Sequence, residues 1–323
     1  MNTRIAIAWP FLVALALSTP ACGILPRPLG CADDAGCVVY QTDFDTMDGA
    51  VASMKGVARA VDARLTLHDL THRIPPFDVW TASLRLRQTV PYWPADTVFV
   101  SVVDPGVGTD RLPIVAVDHA GHRIVTPDNG TLTFLAREVG LSAAYAIDIE
   151  RFHRPGADVT ATFHGRDVFS YVGALLAAGD IRVQEVGESL ALERLVTLDV
   201  PEPAFDETGA HPALRGIVEV IDEPYGNVWT NLPAAFVRGA GIGVGSALRV
   251  AIVTGEAPNT KTVFEGDVPF CATFGDVPQG APLAYLNSLD RVALALNMGD
   301  FARAHGIAAG STWRVRIERT PPR

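Results

Sequence analysis

Between Val38 and about Val200, apolar runs of strand length alternate with segments whose apolar residues recur at helical spacing. The strand-like runs are VVY (Val38–Tyr40), LTLHDL (Leu65–Leu70), VFVSVV (Val98–Val103), PIVAV, RIVTP and AYAID. Val51, Met54, Ala58 and Val61 share one helix face, and Val79, Ala82 and Leu86 share another within Asp78–Thr89. Further helices are expected near Thr131–Val139 and over Val168–Ala178. Such alternation constrains the fold strongly: it predicts an α/β domain with a mainly parallel sheet and helices on both faces.

The pattern ends after Pro201. PEPAFDETGAHPA (201–213) is polar and proline-bearing and reads as a linker. Short strand-like runs follow, among them LRGIVEVI, NVWTNL, ALRVAIV, KTVFE, PLAYLN and STWRVRIE, with turn residues between them. They predict a smaller all-β, barrel-like domain over 214–323. Residues 38–200 form the first domain, and 22–37 read as a tether.

Residues 1–21 have the form of an export signal: Arg4, then the apolar run Ile5–Leu17, then small residues up to Cys22. The apolar run is shorter than the roughly 20 residues of a membrane span. An exported protein is therefore expected, either periplasmic or held at the membrane by lipid on Cys22. Cys31 and Cys37 are spaced for a small disulfide loop in an oxidising compartment, and Cys271 reads as a buried small hydrophobe. No cysteine pair has CxxC spacing, so no metal site is expected. The net charge of −10 argues against nucleic acid as a partner and fits small-molecule chemistry or a protein partner better.

Several segments carry candidate chemistry. VVDPGVGTDR brings Asp104 to the carboxyl end of a buried strand, where open parallel sheets bind ligands, with Arg111 just beyond a glycine-rich turn. GVGTDR lacks the third glycine of a dinucleotide fingerprint. FHGRDVF places His164 at a helix start, where the helix dipole disfavours the protonated ring. TDFDT puts Asp43 at another strand end, where one carboxylate suits two vicinal hydroxyls, and Asp48 adds an acceptor nearby. IDEPYGNVWTN offers the flat face of Tyr225 and the paired donor and acceptor of Asn227, which suits a purine edge. YLNS and ALNMG add polar groups. Singly, each of these is equally well an ordinary turn, cap or core-edge residue.

Taken together and in order, TDFDTMDGAVASMKG, HRIPPFDV, VVDPGVGTDR, TPDNGTL, TFHGRDVF, IDEPYGNVWTN and YLNS resemble the S-adenosylmethionine hydrolases (adenosyl-forming), also called S-adenosylmethionine hydroxide adenosyltransferases, relatives of the 5′-fluorinase and chlorinase. The resemblance covers about residues 38–318. It implies a homotrimer with the ligand between the first domain of one subunit and the second domain of the next. The implied reaction converts water and S-adenosylmethionine to adenosine and methionine, with no separate cofactor and no metal. It implies Asp104, Arg111 and His164 as the catalytic set and Asp43 as the ribose contact. Phe77 stands where the halogenases have Trp against the sugar. Tyr225, Asn227 and Asn297 match adenine-contacting positions, and Asp222 and Ser288 match those at the amino-acid end of methionine. Leu289 stands where the halogenases have an Arg for the carboxylate, which leaves that contact open.

The chemistry fits these residue types. A sulfonium is already a good leaving group, whereas water is a weak nucleophile that must be aligned behind C5′. Asp104, beside Arg111, can accept a hydrogen bond from that water, and His164 can orient it or take its proton. Halogenases carry Tyr in place of Asp104 and the fluorinase carries Ser in place of Gly165, so hydroxide is expected over halide. The alternatives are a 5′-halogenase and an exported, non-catalytic nucleoside-binding lipoprotein. The second is prompted by export of a protein whose substrate is made in the cytoplasm.

Overall fold

In the computed structural model the described residues are 36–157, 162–206, 212–256 and 258–320. The expected signal segment, Cys22, and Cys31 of the expected Cys31–Cys37 pair lie outside them. Seven strands form the first sheet: β1 (Cys37–Thr42), β2 (Thr66–Thr71), β3 (Val98–Val102), β4 (Pro113–Asp118), β5 (Arg123–Pro127), β6 (Leu141–Ala146) and β7 (Ser189–Leu190), in the order β2-β1-β3-β5-β4-β6-β7. The half built from β2, β1, β3 and β5 is parallel, as the alternation predicts. The other half is antiparallel, so the sheet is mixed. The reason is local: only residues 119–122 join β4 to β5, and a parallel crossover needs about a dozen or more.

The helices are α1 (Ala50–Val61), α2 (Val79–Thr89), α3 (Thr133–Glu138), α4 (Ile149–Phe152) and α5 (Tyr171–Ala178). Alternation along the central strands decides which face each residue serves. Val38 and Tyr40 pack with Met54 of α1 and Val172 of α5. Val39 and Phe99 pack on the opposite face with Leu86 of α2 and Leu135 of α3. Gly173 lets α5 lie directly on β3, because a Cβ there would stand 2.5 Å from Val100 Cγ2. The strand ends Thr42 and Val102 are in register, so the chains leaving β1 and β3 emerge side by side. β1 leads to β2 on one side while β3 lies on the other, which is the strand-order reversal where such sheets hold ligands.

The second domain is antiparallel: β9 (Ala213–Asp222), β10 (Asn227–Pro233), β11 (Ala247–Thr254), β12 (Lys261–Pro269), β13 (Pro282–Leu286), β14 (Arg291–Leu296) and β15 (Arg314–Arg319), in the order β12-β11-β15-β9-β10-β14-β13. A bridge between Phe270 and Ala284 nearly closes it into a barrel. Short helices α6 (Ala234–Gly239) and α7 (Phe301–His305) flank it. The segment expected as a linker carries the strand β8 (Ala204–Asp206), which pairs with β9.

The two domains are joined by a buried charge network. Arg87 Nη2 of α2 donates to Glu219 Oε2 of β9 at 2.6 Å, with both side chains almost fully enclosed. Arg87 also approaches Glu138 of α3 at 3.4 Å, and Arg291 of β14 reaches Glu138 at 3.1 Å. Trp80 Nε1 donates to the Glu219 carbonyl at 2.8 Å. Burial raises the Glu219 carboxyl above its ordinary range, against the pull of Arg87. Removing one partner strands a buried charge. Arg87→Leu is therefore expected to lower stability by about 3–5 kcal/mol in urea unfolding, and pairing it with Glu219→Leu should recover most of that loss.

Candidate active site

Asp104 leaves the end of β3 into a double turn. Its carbonyl accepts from Val107 N at 3.3 Å, and the Gly106 carbonyl accepts from Thr109 N at 3.1 Å and from Thr109 Oγ1 at 2.7 Å. These turns fold Arg111 back onto the strand end. Arg111 Nε donates to Asp104 Oδ1 at 3.0 Å and Nη2 donates to Oδ2, a two-point pairing that fixes the carboxylate plane. Gly106 N donates to Oδ1 at 3.2 Å. The side chains are 5 % and 7 % exposed, so neither faces bulk solvent. The guanidinium also lies 5.3 Å from the centre of the Phe169 ring, and among the described residues its buried Nη1 has no hydrogen-bond partner.

His164 stands at the start of a π-helical turn, Gly165–Ser170, that runs into α5. The expected helix over Val168–Ala178 thus begins earlier, in a wider form that is frequent at functional sites. Asp167 anchors it: fully buried, it accepts from Arg154 Nε at 2.9 Å, Arg166 Nε at 2.8 Å and Arg166 Nη2 at 2.6 Å. His164 and Asp104 line one cavity of about 230 Å³. The His164 Nδ1 atom is buried without a partner among the described residues. Burial lowers the His164 pKa from the ordinary imidazole value; the charge of Arg111 adds to this, and Asp104 opposes it. The ring is therefore neutral near pH 7.

Phe44 and Phe163 form a wall of the same cavity, edge to face at 5.8 Å. A Cβ on Gly165 would stand 3.1 Å from Phe163 and 3.2 Å from Phe44, so the bare backbone there keeps the wall closed. Asp48 also lines the cavity and accepts from Ala50 N at 2.8 Å at the start of α1. The sequence shows Asp48 as an acceptor but gives it no role, because an acidic residue before a helix is ordinary capping. Phe44 and Phe163 carry no signal beyond the motifs that contain them.

The remaining expected residues fall into separate groups within one chain. Asp43 Oδ2 accepts from Phe77 N at 2.8 Å. Phe77 has φ +67° and is 70 % exposed. Asp222 Oδ2 accepts from Asn227 Nδ2 at 3.0 Å, and Asn227 is buried while Tyr225 is 67 % exposed. Ser288 is exposed, and Asn297 Nδ2 donates to the Val277 carbonyl at 2.8 Å. None of these residues lines the cavity of Asp104 and His164. Among the described residues, no group of three or more His, Cys, Asp or Glu side chains is placed to hold a metal ion.

Comparison with known proteins then decides the family. The model of the SAM hydroxide adenosyltransferase N-terminal domain matches residues 38–187, and that of the C-terminal domain matches residues 216–314. The chain belongs to the SAM hydroxide adenosyltransferase family. Its relatives include the (R)-S-adenosyl-L-methionine hydrolase of Salinispora tropica, 36% identical over 86% of this chain and 97% of that protein. The fluorinase of an Actinoplanes species is 29% identical over 86% of this chain and 96% of its own length. The crystal structure of an uncharacterized conserved protein from Thermotoga maritima superposes with a TM-score of 0.77 at 29% identity, covering 87% of this chain and all of that one. The family's two-domain division coincides with the α/β and barrel-like halves seen here.

The electrostatics yield a direct check. Arg111→Gln removes the cation that helps hold His164 neutral and leaves Asp104 unpaired. The His164 pKa, followed by an NMR titration of the ring, is expected to rise; a fall would contradict the geometry.

Proposed function

We propose that this chain hydrolyses S-adenosylmethionine to adenosine and L-methionine. The observation that carries the reading is that Asp104 and His164 line one cavity while Arg111 holds the Asp104 carboxylate, in a chain 36% identical to a protein named as such a hydrolase. A water in that cavity donates a hydrogen bond to Asp104, whose oxygens keep further lone pairs free beside the Arg111 contacts. Its lone pair attacks C5′ opposite sulfur. The C5′–O bond forms as the C5′–S bond breaks, and the bonding pair goes to sulfur, which leaves as the neutral thioether of methionine. Neutral His164, with Nδ1 unpartnered, takes the proton that the water sheds. Alignment of this kind contributes on the order of 7 kcal/mol when near ideal.

Asp48 and Asp104 together give the cavity two carboxylates. They favour a sulfonium cation and oppose a halide, which supports water over chloride or fluoride as nucleophile. The reaction needs no group beyond these side chains and the substrate. Phe77 and Tyr225 are exposed in the single chain, and the second-domain residues stand apart from the cavity. This supports a site between subunits, in the homotrimer that the family resemblance implies, where Tyr225, Asn227, Asn297, Asp222 and Ser288 of one subunit meet the cavity, Asp43 and Phe77 of the next. The signal-like residues 1–21 support export, either to the periplasm or to the membrane through lipid on Cys22.

Incubation with S-adenosylmethionine in chloride buffer is expected to yield adenosine and methionine. 5′-Chloroadenosine would point to halogenation instead, and binding without turnover to a non-catalytic role. Asp104→Ala should lower turnover by about 10² or more while substrate affinity stays within about tenfold. The acid limb of the pH–rate profile should lie below the ordinary imidazole pKa of ~6.5, because only the neutral ring accepts the proton and its pKa is lowered here.

A further inference from the structure

A second set of polar side chains lies behind the loop after β1. His72 is buried, 6 % exposed. Its Nδ1 is 2.8 Å from Thr42 Oγ1, and its Nε2 is 2.8 Å from Asp69 Oδ1. Lys55 Nζ donates to Asp69 at 2.6 Å. The row Thr42–His72–Asp69 has the shape of a nucleophile, base and acid. It is not one, because Thr42 is fully buried and its oxygen already receives the Phe44 N–H at 3.2 Å. No substrate atom reaches it.

The row has a different consequence. Nε2 faces a carboxylate, so it carries the hydrogen, and Nδ1 then accepts from the Thr42 hydroxyl. The His72 carbonyl accepts from Asp45 N at 2.7 Å. One residue thus grips the loop on both sides of Asp43, at Thr42 and at Asp45. The chain running on from His72 then delivers Phe77 N to the Asp43 carboxylate at 2.8 Å. Asp43 is enclosed in a ring of bonds that starts and ends at His72.

We infer that His72 is a positioning residue: backed by Asp69 and Lys55, it fixes the direction of the Asp43 carboxylate and so sets affinity for the ribose of the substrate. The inference rests on Asp43 being the ribose contact. Loss of the grip weakens ground state and transition state alike, so KM rises while kcat holds.

Two substitutions split the ring's bonds. His72→Gln places an amide where Nε2 was and loses the Thr42 contact. His72→Asn places one where Nδ1 was and keeps it. With full-length protein and S-adenosylmethionine, His72→Gln is expected to raise KM about tenfold with kcat within about threefold, the size of one hydrogen bond that orients a charged group. His72→Asn should stay within about threefold in KM. Thr42→Val should copy His72→Gln, and Thr42→Ser should restore the parent value. Adenosine affinity, measured by calorimetry, should follow KM, since adenosine keeps the ribose. Equal KM in the Gln and Asn variants, or a fall in kcat at unchanged KM, overturns the inference. Asp43→Ala separates the two layers: adenosine affinity unchanged in that variant removes Asp43 as the ribose contact. The grip itself is then judged by hydrogen exchange, where protection at the Phe44 and Asp45 amides must drop in His72→Gln and Thr42→Val but not in Thr42→Ser. Protection that stays the same in all of them rejects the grip.

Discussion

The two-point pairing of Arg111 with Asp104 is the contact on which the site depends. A buried carboxylate is costly unless it is paired and hydrogen-bonded. The turn Asp104–Arg111 supplies both conditions within seven residues, from its own backbone and its own guanidinium. The pairing therefore needs no support from distant parts of the chain. It also bears on the cavity: burial lowers the His164 pKa and the positive charge of Arg111 adds to this, while Asp104 lines the same space. Phe169 packs beneath the guanidinium, its ring centre 5.3 Å away.

Much of this was legible in the sequence because it is local. The run VFVSVV followed by DPGVG places a strand end and a turn at Asp104 without any tertiary information, and Arg111 is near in sequence. His164 was legible as a helix start, but not the π-helical turn that carries it, because that geometry depends on the far-off anchor of Asp167 to Arg154. The antiparallel half of the first sheet was missed for a related reason. PIVAV and RIVTP are as apolar as parallel strands, since both faces of the sheet are covered, and only the short connection between them reveals their direction. Asp48 is legible as an acceptor but not as part of the cavity, and the Phe44–Phe163 wall is not legible, because capping acids and core aromatics have the same sequence appearance in any α/β domain.

The second domain shows where sequence reading stops. Its strands were legible from turn spacing. Their closure depends on pairing between the ends of the sheet, and the contacts with the first domain depend on single side chains such as Trp80 and Arg87, which mark no motif. The Arg87–Glu219 pair ties the two halves of the chain together at a buried contact.

The π-helical turn at Gly165–Ser170 carries a last implication, in helical phase. Such a turn holds one residue more than an α-helix would, and each residue of an α-helix advances about 100° around the axis. Deleting a single residue there would let the segment relax into ordinary α-helix with the imidazole close to its present phase, because the residue lost is the extra one. The wide turn can thus give up one residue, whereas α5, which has none to spare, would rotate everything ahead of it by about 100° on losing one.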